Sequence, residues 1–233
     1  IATSAADPFE WAQEQGLDTV RIGIYQPKVF ASGLEDWVFT LQDLRQFATD
    51  ERGTVDDRPF GGGAGMVLKP EPLFAAVESV RTPQARVLLM TPQGAPFRQR
   101  AAERLSRLPH LIVVCGHYEG VDERFRQALV DEEISLGDFV LTNGSLPAML
   151  VADAVIRLLP GALGSPESAV GESFGADGLL EYPQYTRPEA FRGMRVPEVL
   201  LSGDHGRIAG WRQKQQVWRT MGRRPDLLTE AQE

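Results

Sequence analysis

Two short apolar runs constrain this sequence more than any other feature: Arg86-Val87-Leu88-Leu89-Met90 and Leu111-Ile112-Val113-Val114-Cys115. Each is almost continuously hydrophobic rather than alternating, which is the pattern of a strand covered on both faces. The first is stopped by Thr91-Pro92-Gln93-Gly94 and the second by Gly116. Residues 99–108 between them read as a helix. A short charged helix over residues 122–130 leads to a third apolar run, Phe139-Val140-Leu141. Beyond Ser145, Pro147 suits the first position of a helix, which runs to about Leu159 and ends before Pro160-Gly161. Apolar strands separated by helices predict an α/β fold on a parallel sheet.

Three loops then leave the carboxyl ends of the strands, at residues 91–94, 116–120 and 141–145. Ligands of open α/β sheets bind at that edge. A glycine in any one of them reads as a tight turn; glycine in all three favours a binding site. A further segment, Asp56-Asp57-Arg58-Pro59-Phe60-Gly61-Gly62-Gly63-Ala64-Gly65-Met66, places four glycines in five positions. No Gly-Lys-Ser/Thr follows it, and Met66 and Leu68 break the dinucleotide spacing, so neither phosphate motif applies. It is either a flexible loop or a backbone cradle. Asp56, Asp57 and Arg58 favour the cradle, since carboxylates and a guanidinium match the hydrogen-bonding edge of guanine.

Composition excludes several classes. Hydrophobic residues make up 42% and charged residues 24%, as in ordinary globular chains. No apolar run approaches the roughly 20 residues that span a bilayer, and the sequence shows no signal-peptide pattern, so a cytoplasmic chain without a membrane partner is expected. The single cysteine, Cys115, excludes an intrachain disulfide and a cysteine-based zinc site. The histidines His110, His117 and His205 lack ligand spacing. A net charge of −8 argues against a nucleic-acid partner until its distribution is considered. Residues 187–225 carry nine basic and three acidic side chains, +6 in all, which leaves −14 for the rest. Such a patch reads as a solvated helix face or as a phosphate-binding surface. Residues 204–224 read as a helix on which Arg212, Arg219 and Arg223 form one stripe, with Trp211 and Trp218 on the docking side. Residues 161–178, rich in Gly, Ser, Ala and Pro, read as an interdomain linker.

Single acids and bases stay open on this reading. Glu119, in Gly116-His117-Tyr118-Glu119-Gly120, faces an amino group or a metal ion, or caps a turn. Asp153 stands four residues before Arg157, which suits a surface ion pair. Glu172 is an acid in a loop. Cys115, ending an apolar strand, reads as a packed residue.

Taken in order, these segments resemble the bacterial tRNA (guanine-N1)-methyltransferase family TrmD, of the SPOUT superfamily. The resemblance runs over residues 33–228. It rests on residues 55–66, 91–94 and 114–124, on Asp131-Glu132-Glu133-Ile134-Ser135-Leu136-Gly137-Asp138-Phe139-Val140-Leu141, on Leu179-Leu180 and Tyr185-Thr186-Arg187-Pro188, and on residues 197–205 and Arg223-Arg224-Pro225. It implies a SPOUT fold whose sheet ends in a trefoil knot over residues 1–163, a linker at 164–178, and a small helical tRNA-binding domain at 179–233. It implies a homodimer with the active site at the subunit interface and tRNA, not DNA, as partner. S-adenosylmethionine is the implied methyl donor, held by Thr91, Pro92, Gln93 and Gly94, by Gly116, Tyr118, Glu119 and Gly120, by Ile134, Leu136, Gly137, Phe139 and Leu141, and by Gly144 and Pro147. Glu172 and Arg157 take the catalytic positions. Asp56, Arg58 and Gly65 stand at the target base, and Arg187, His205, Arg212, Arg219 and Arg223 on the tRNA. A Mg2+ requirement is implied as well, with Glu119 its candidate ligand. The family's acceptor is the guanosine immediately 3′ of the anticodon. Two departures are plain: Glu172 stands where the family usually has aspartate, and Thr142-Asn143-Gly144-Ser145 stands where it has Ser-Gly-Gly-Glu. Another RNA target, or a catalytically silent RNA-binding homologue, are the alternative readings.

Overall fold

The computed structural model describes residues 21–29, 35–162 and 171–230. The chain folds as two compact units, 1–163 and 164–233. The opening segment Pro8-Phe9-Glu10-Trp11 lies outside the described residues.

The first unit begins with strands β1 (Arg21–Val29) and β2 (Glu35–Asp43), paired antiparallel. A two-stranded ribbon of β3 (Asp56–Asp57) and β4 (Val67–Leu68) frames the glycine-rich segment. Helix α1 (Pro70–Glu78) follows, with proline in its first turn, where a missing N–H costs nothing. Then come β5 (Ala85–Pro96), α2 (Gln99–Leu105), β6 (His110–Cys115), α3 (Glu123–Leu129), β7 (Glu132–Ser135) and α4 (Ser145–Ile156). The sheet order is β2-β1-β6-β5-β7. β6, β5 and β7 are mutually parallel, as expected. β1 joins β6 antiparallel, so the sheet is mixed.

Alternate residues of the two central strands feed two cores. Val87, Leu89, Ile112 and Val114 pack with Leu73, Ala76, Val77 and Phe125 on one face. Leu88, Met90, Leu111 and Val113 pack with Ala102, Leu105, Val151 and Val155 on the other. Helices therefore cover both faces, which explains why neither strand alternates with polar residues.

Three expectations are corrected here. The third parallel strand is Glu132–Ser135, not Phe139-Val140-Leu141, which lie in an irregular segment with Phe139 and Val140 exposed. The strand escapes a hydrophobicity reading because its charges are paired across the fold. Arg104 donates from both terminal nitrogens to the two Glu132 oxygens at 2.7 and 2.6 Å, and Arg86 Nε donates to Glu132 at 2.9 Å. Asp131 accepts the Val87 N–H at 2.8 Å, and Arg126 contacts Glu133 at 3.2 Å. Secondly, α4 starts two residues before Pro147, and Arg157, not Leu159, caps it. Thirdly, α2 stops at Leu105 rather than Leu108.

The guanidinium of Arg104, with that of Arg86, holds the Glu132 carboxyl below the usual carboxylate range. Because folding lowers this pKa, the pair contributes fully above the unfolded carboxylate value and is lost as pH falls through the folded one. Glu132→Gln is expected to destabilise the unit by about 1–2 kcal/mol at pH 7, a charged hydrogen bond partly screened by solvent. In urea titrations the gap between parent and variant should close towards pH 3. A gap that stays constant with pH would assign the loss to packing instead.

In the second unit, a small ribbon of β8 (Ala190–Phe191) and β9 (Met194–Arg195) precedes α5 (Glu198–Leu201) and the long α6 (His205–Arg223), with α7 (Asp226–Glu230) last. Asp204 caps α6 by accepting the Arg207 N–H at 3.0 Å. Of Trp211 and Trp218, both expected to dock this helix, Trp211 is half-buried with its ring 6.4 Å from that of Tyr185, whereas Trp218 is 66% exposed. Thr220 docks it instead: fully buried, its Oγ1 accepts the Leu180 N–H at 2.9 Å and donates to the Gln216 carbonyl at 2.8 Å. Residues 171–178 form turns, with the Phe174 N–H donating to the Leu179 carbonyl at 2.8 Å.

Candidate active site

A cavity of about 340 Å3 opens where β5, β6 and β7 end. The segment 91–94 does not terminate β5 as expected. Met90 and Ala95 both pair with Ile134, so the four residues between them loop out of a strand that then resumes. Gly94 makes this excursion possible. A Cβ there would fall on the backbone of Glu133 and Ile134 in β7, and backbone cannot move aside.

The second wall is the segment after β6. Tyr118 has φ +57°, and its ring meets His117 edge-on at 4.6 Å. The third wall runs from β7 into α4. There the Gly144 N–H donates to the Gly116 carbonyl at 2.8 Å, tying the third loop to the second. Asn143 Oδ1 accepts the Ser145 N–H at 2.9 Å, so the atypical Thr142-Asn143-Gly144-Ser145 still closes the wall and starts the helix.

Of the residues implied for the donor, Thr91, Pro92, Gln93, Gly116, Tyr118, Glu119, Gly120, Ile134, Leu136, Phe139, Leu141, Gly144 and Pro147 all line this cavity. Gly94 and Gly137 do not: Gly94 lies against β7, and a Cβ at Gly137 would meet the Phe139 ring at 2.8 Å. Sequence reasoning missed His117, Glu123, Arg126 and Ser135, which share the lining. Glu123 and Arg126 were legible only as a charged helix. Arg126 donates to Glu123 at 2.6 and 2.7 Å, which fixes both against the cavity. Cys115, at the end of β6, is buried, and burial pushes its thiol up to about 12. It is a packing residue, not a nucleophile.

The glycine-rich segment is stitched to the second wall. The Glu119 N–H donates to the Met66 carbonyl at 3.0 Å, the Leu68 N–H to Gly120 at 2.9 Å, and the Asp122 N–H to Leu68 at 3.0 Å. Gly65 has φ +83°, and the place of its missing Cβ is taken by the Glu119 carboxylate. Asp56 and Arg58, at the root of this segment, make no side-chain hydrogen bond or ion pair among the described residues. Backbone pairing thus joins Asp56, through its partner Leu68, and Gly65 to the segment that carries Glu119.

Arg157 caps the far end of α4, half-buried, and does not line the cavity. Glu172 is a half-buried turn residue of the second unit. Arg187 and Arg212 line a separate cavity in that unit, while His205 and Arg223 are the first and last residues of α6 and Arg219 lies near its end. Among the described residues no group of three or more His, Cys, Asp or Glu side chains is placed to hold a metal ion, and no helix is long and apolar enough to cross a membrane.

Parallel strands that end in three loops around one cavity, with His117, Glu119 and Glu123 among its polar lining, have the form of an α/β enzyme with a small-molecule site. Sequence comparison makes that enzyme a methyltransferase. The chain belongs to the family described as tRNA (Guanine-1)-methyltransferase TrmD, whose model matches residues 27–230. It is 58% identical over 192 residues to a tRNA (guanine-N(1)-)-methyltransferase of Geobacillus kaustophilus, covering 82% of this chain and 78% of that protein. It is 59% identical over 193 residues to the enzyme of the same name from Geotalea uraniireducens, with the same coverage. The Bacillus subtilis enzyme of that name is 53% identical over 195 residues, 82% of this chain and 80% of its own length.

Proposed function

We propose that this chain transfers a methyl group from S-adenosylmethionine to N1 of the guanosine immediately 3′ of the anticodon in tRNA. The observation that carries the reading is the cavity of about 340 Å3, whose wall holds all but two of the implied donor residues. Its chemistry fits that donor. Leu89, Ile134, Leu136 and Pro147 supply apolar surface for a purine, and Glu119 sets negative charge beside a cationic ligand, the charge of Glu123 being compensated by Arg126. The volume falls within the roughly 300–1,000 Å3 of small-molecule sites. The bound donor supplies a methyl group already activated by its sulfonium, so the protein's task is mainly alignment.

Glu172 accepts the N1 proton as the new N–C bond forms. Arg157 holds the negative charge that develops on the guanine carbonyl oxygen. Asp56 and Arg58, at the root of the glycine-rich segment, hold the target base, and the Arg212, Arg219 and Arg223 stripe follows the tRNA backbone.

The active site is shared between two copies of the chain, as the shape of α4 supports. That helix starts at the cavity and ends at Arg157, roughly 18 Å away for its 12 residues. Leu146, Leu150 and Arg157 recur on one face of it, and both leucines are exposed, with Val140 exposed at 83% nearby in sequence. A partner docked on that stripe brings Arg157 towards a second copy's cavity. The loops at 91–94, 116–120 and 136–144 form the trefoil knot of this reading. The first unit carries the donor and the second grips the tRNA, in the cytoplasm. Mg2+ enters as a requirement: Glu119 offers one carboxylate, and an ion that keeps several waters needs few protein ligands. Incorporation of labelled methyl into unmodified tRNA tests the proposal.

A further inference from the structure

The second unit holds a cavity of which the proposed function uses only Arg212, as part of the tRNA stripe. It measures about 680 Å3 and lies between residues 182–189, Val196 and helices α5 and α6. Tyr182 and Tyr185 both line it, and each is braced by a neighbour. The Arg212 guanidinium lies over the Tyr182 ring at 4.6 Å, and the Trp211 ring sits 6.4 Å from that of Tyr185. Arg187 also lines it and has no hydrogen-bond or ion-pair partner among the described residues. Glu189, the acid on its wall, is already held by Arg195 at 3.0 Å. Two cations thus face the space against one neutralised acid.

Flat aromatic faces beside an unpaired guanidinium suit a flat ligand with a negative charge. Unstacked nucleotides are held in this way, the base on an aromatic ring and the phosphate on arginine. A paired base inside a helix cannot reach such a space. The surrounding residues 187–225, at +6, supply the field that draws RNA to it.

We infer that this cavity holds one unstacked nucleotide of the tRNA, distinct from the methylated guanosine, with its base against Tyr185 and its phosphate on Arg187. The inference rests on tRNA being the substrate, as proposed above. It makes the second unit a reader of tRNA shape as well as a phosphate grip: an unpaired nucleotide must lie at a fixed reach from the target.

The test measures tRNA affinity for the parent chain and for Tyr185→Leu, against unmodified tRNAs that each carry one abasic site at an unpaired position. In the parent, one abasic site other than the target should weaken binding about tenfold, the size of one lost stacking contact. Tyr185→Leu should lose about the same factor on intact tRNA and be indifferent to that one abasic site. Arg187→Gln, an exposed change with little effect on folding, should flatten the slope of log affinity against log salt by roughly 0.7–0.9. Additive losses at every abasic position, or parental affinity and salt slope in both variants, would overturn the inference. Methyl incorporation by the parent separates the two claims. Transfer without a Tyr185 or Arg187 effect removes the nucleotide site and leaves the reaction. A coupled abasic effect without transfer does the reverse.

Discussion

Glu172→Gln is expected to lower methyl transfer by about 10²–10⁴-fold, the usual contribution of a positioned base, while donor and tRNA affinities stay within a few-fold of the parent. Glutamine keeps the size and one oxygen of the side chain but cannot take up a proton from N1. Glu172→Asp restores the residue usual in the family at this position and keeps the carboxylate, so it should retain most of the turnover. Single-turnover rates at saturating donor and tRNA separate the chemical step from binding. Near-parental rates for Glu172→Gln would remove Glu172 from the role of base and leave the proton to solvent.

The second large effect is at Gly94. The added methyl of Gly94→Ala would land on the peptide joining Glu133 to Ile134, in the strand that pairs with β5 at both Met90 and Ala95. Either β7 shifts or residues 91–94 swing away from the cavity. The first route costs about 1–3 kcal/mol as overpacking and lowers Tm by roughly 2–4 °C per kcal/mol. The second spares stability and displaces Thr91, Pro92 and Gln93 from the donor wall. Both routes predict at least a tenfold (~1.4 kcal/mol) loss of S-adenosylmethionine affinity by calorimetry. Parental affinity in this variant would mean that the excursion out of β5 is not part of the donor site.

How far the sequence revealed this arrangement depends on what each residue answers to. Leu88, Leu89, Ile112 and Val113 were legible as strand because covering both faces leaves no room for polar residues. Glu132 and Glu133 were not, since their strand is stabilised by Arg104, 28 positions earlier, and Arg86, 46 positions earlier. Phe139, Val140 and Leu141 misled for the opposite reason: they are apolar without being core. The loop nature of residues 91–94 was legible from Pro92 and Gly94, but not the return of the chain into the same strand, which is a matter of register with Ile134. Thr220 carried no signal, because a threonine in a helix reads as surface until its hydroxyl is found on Leu180. At the site, the glycine loops were legible by composition and their roles only by resemblance to the family. Glu123 and Arg126 were hidden by their pairing, which in a sequence looks like any solvated helix.

Methyl transfer to one guanosine of tRNA is the reaction proposed for this chain. It is tested most directly by incubating the chain with labelled S-adenosylmethionine, Mg2+ and two unmodified tRNAs. These differ only in carrying guanosine or adenosine immediately 3′ of the anticodon. Incorporation is expected at N1 of that guanosine, with none into the adenosine tRNA. Equal labelling of both, or donor binding without transfer to either, would contradict it.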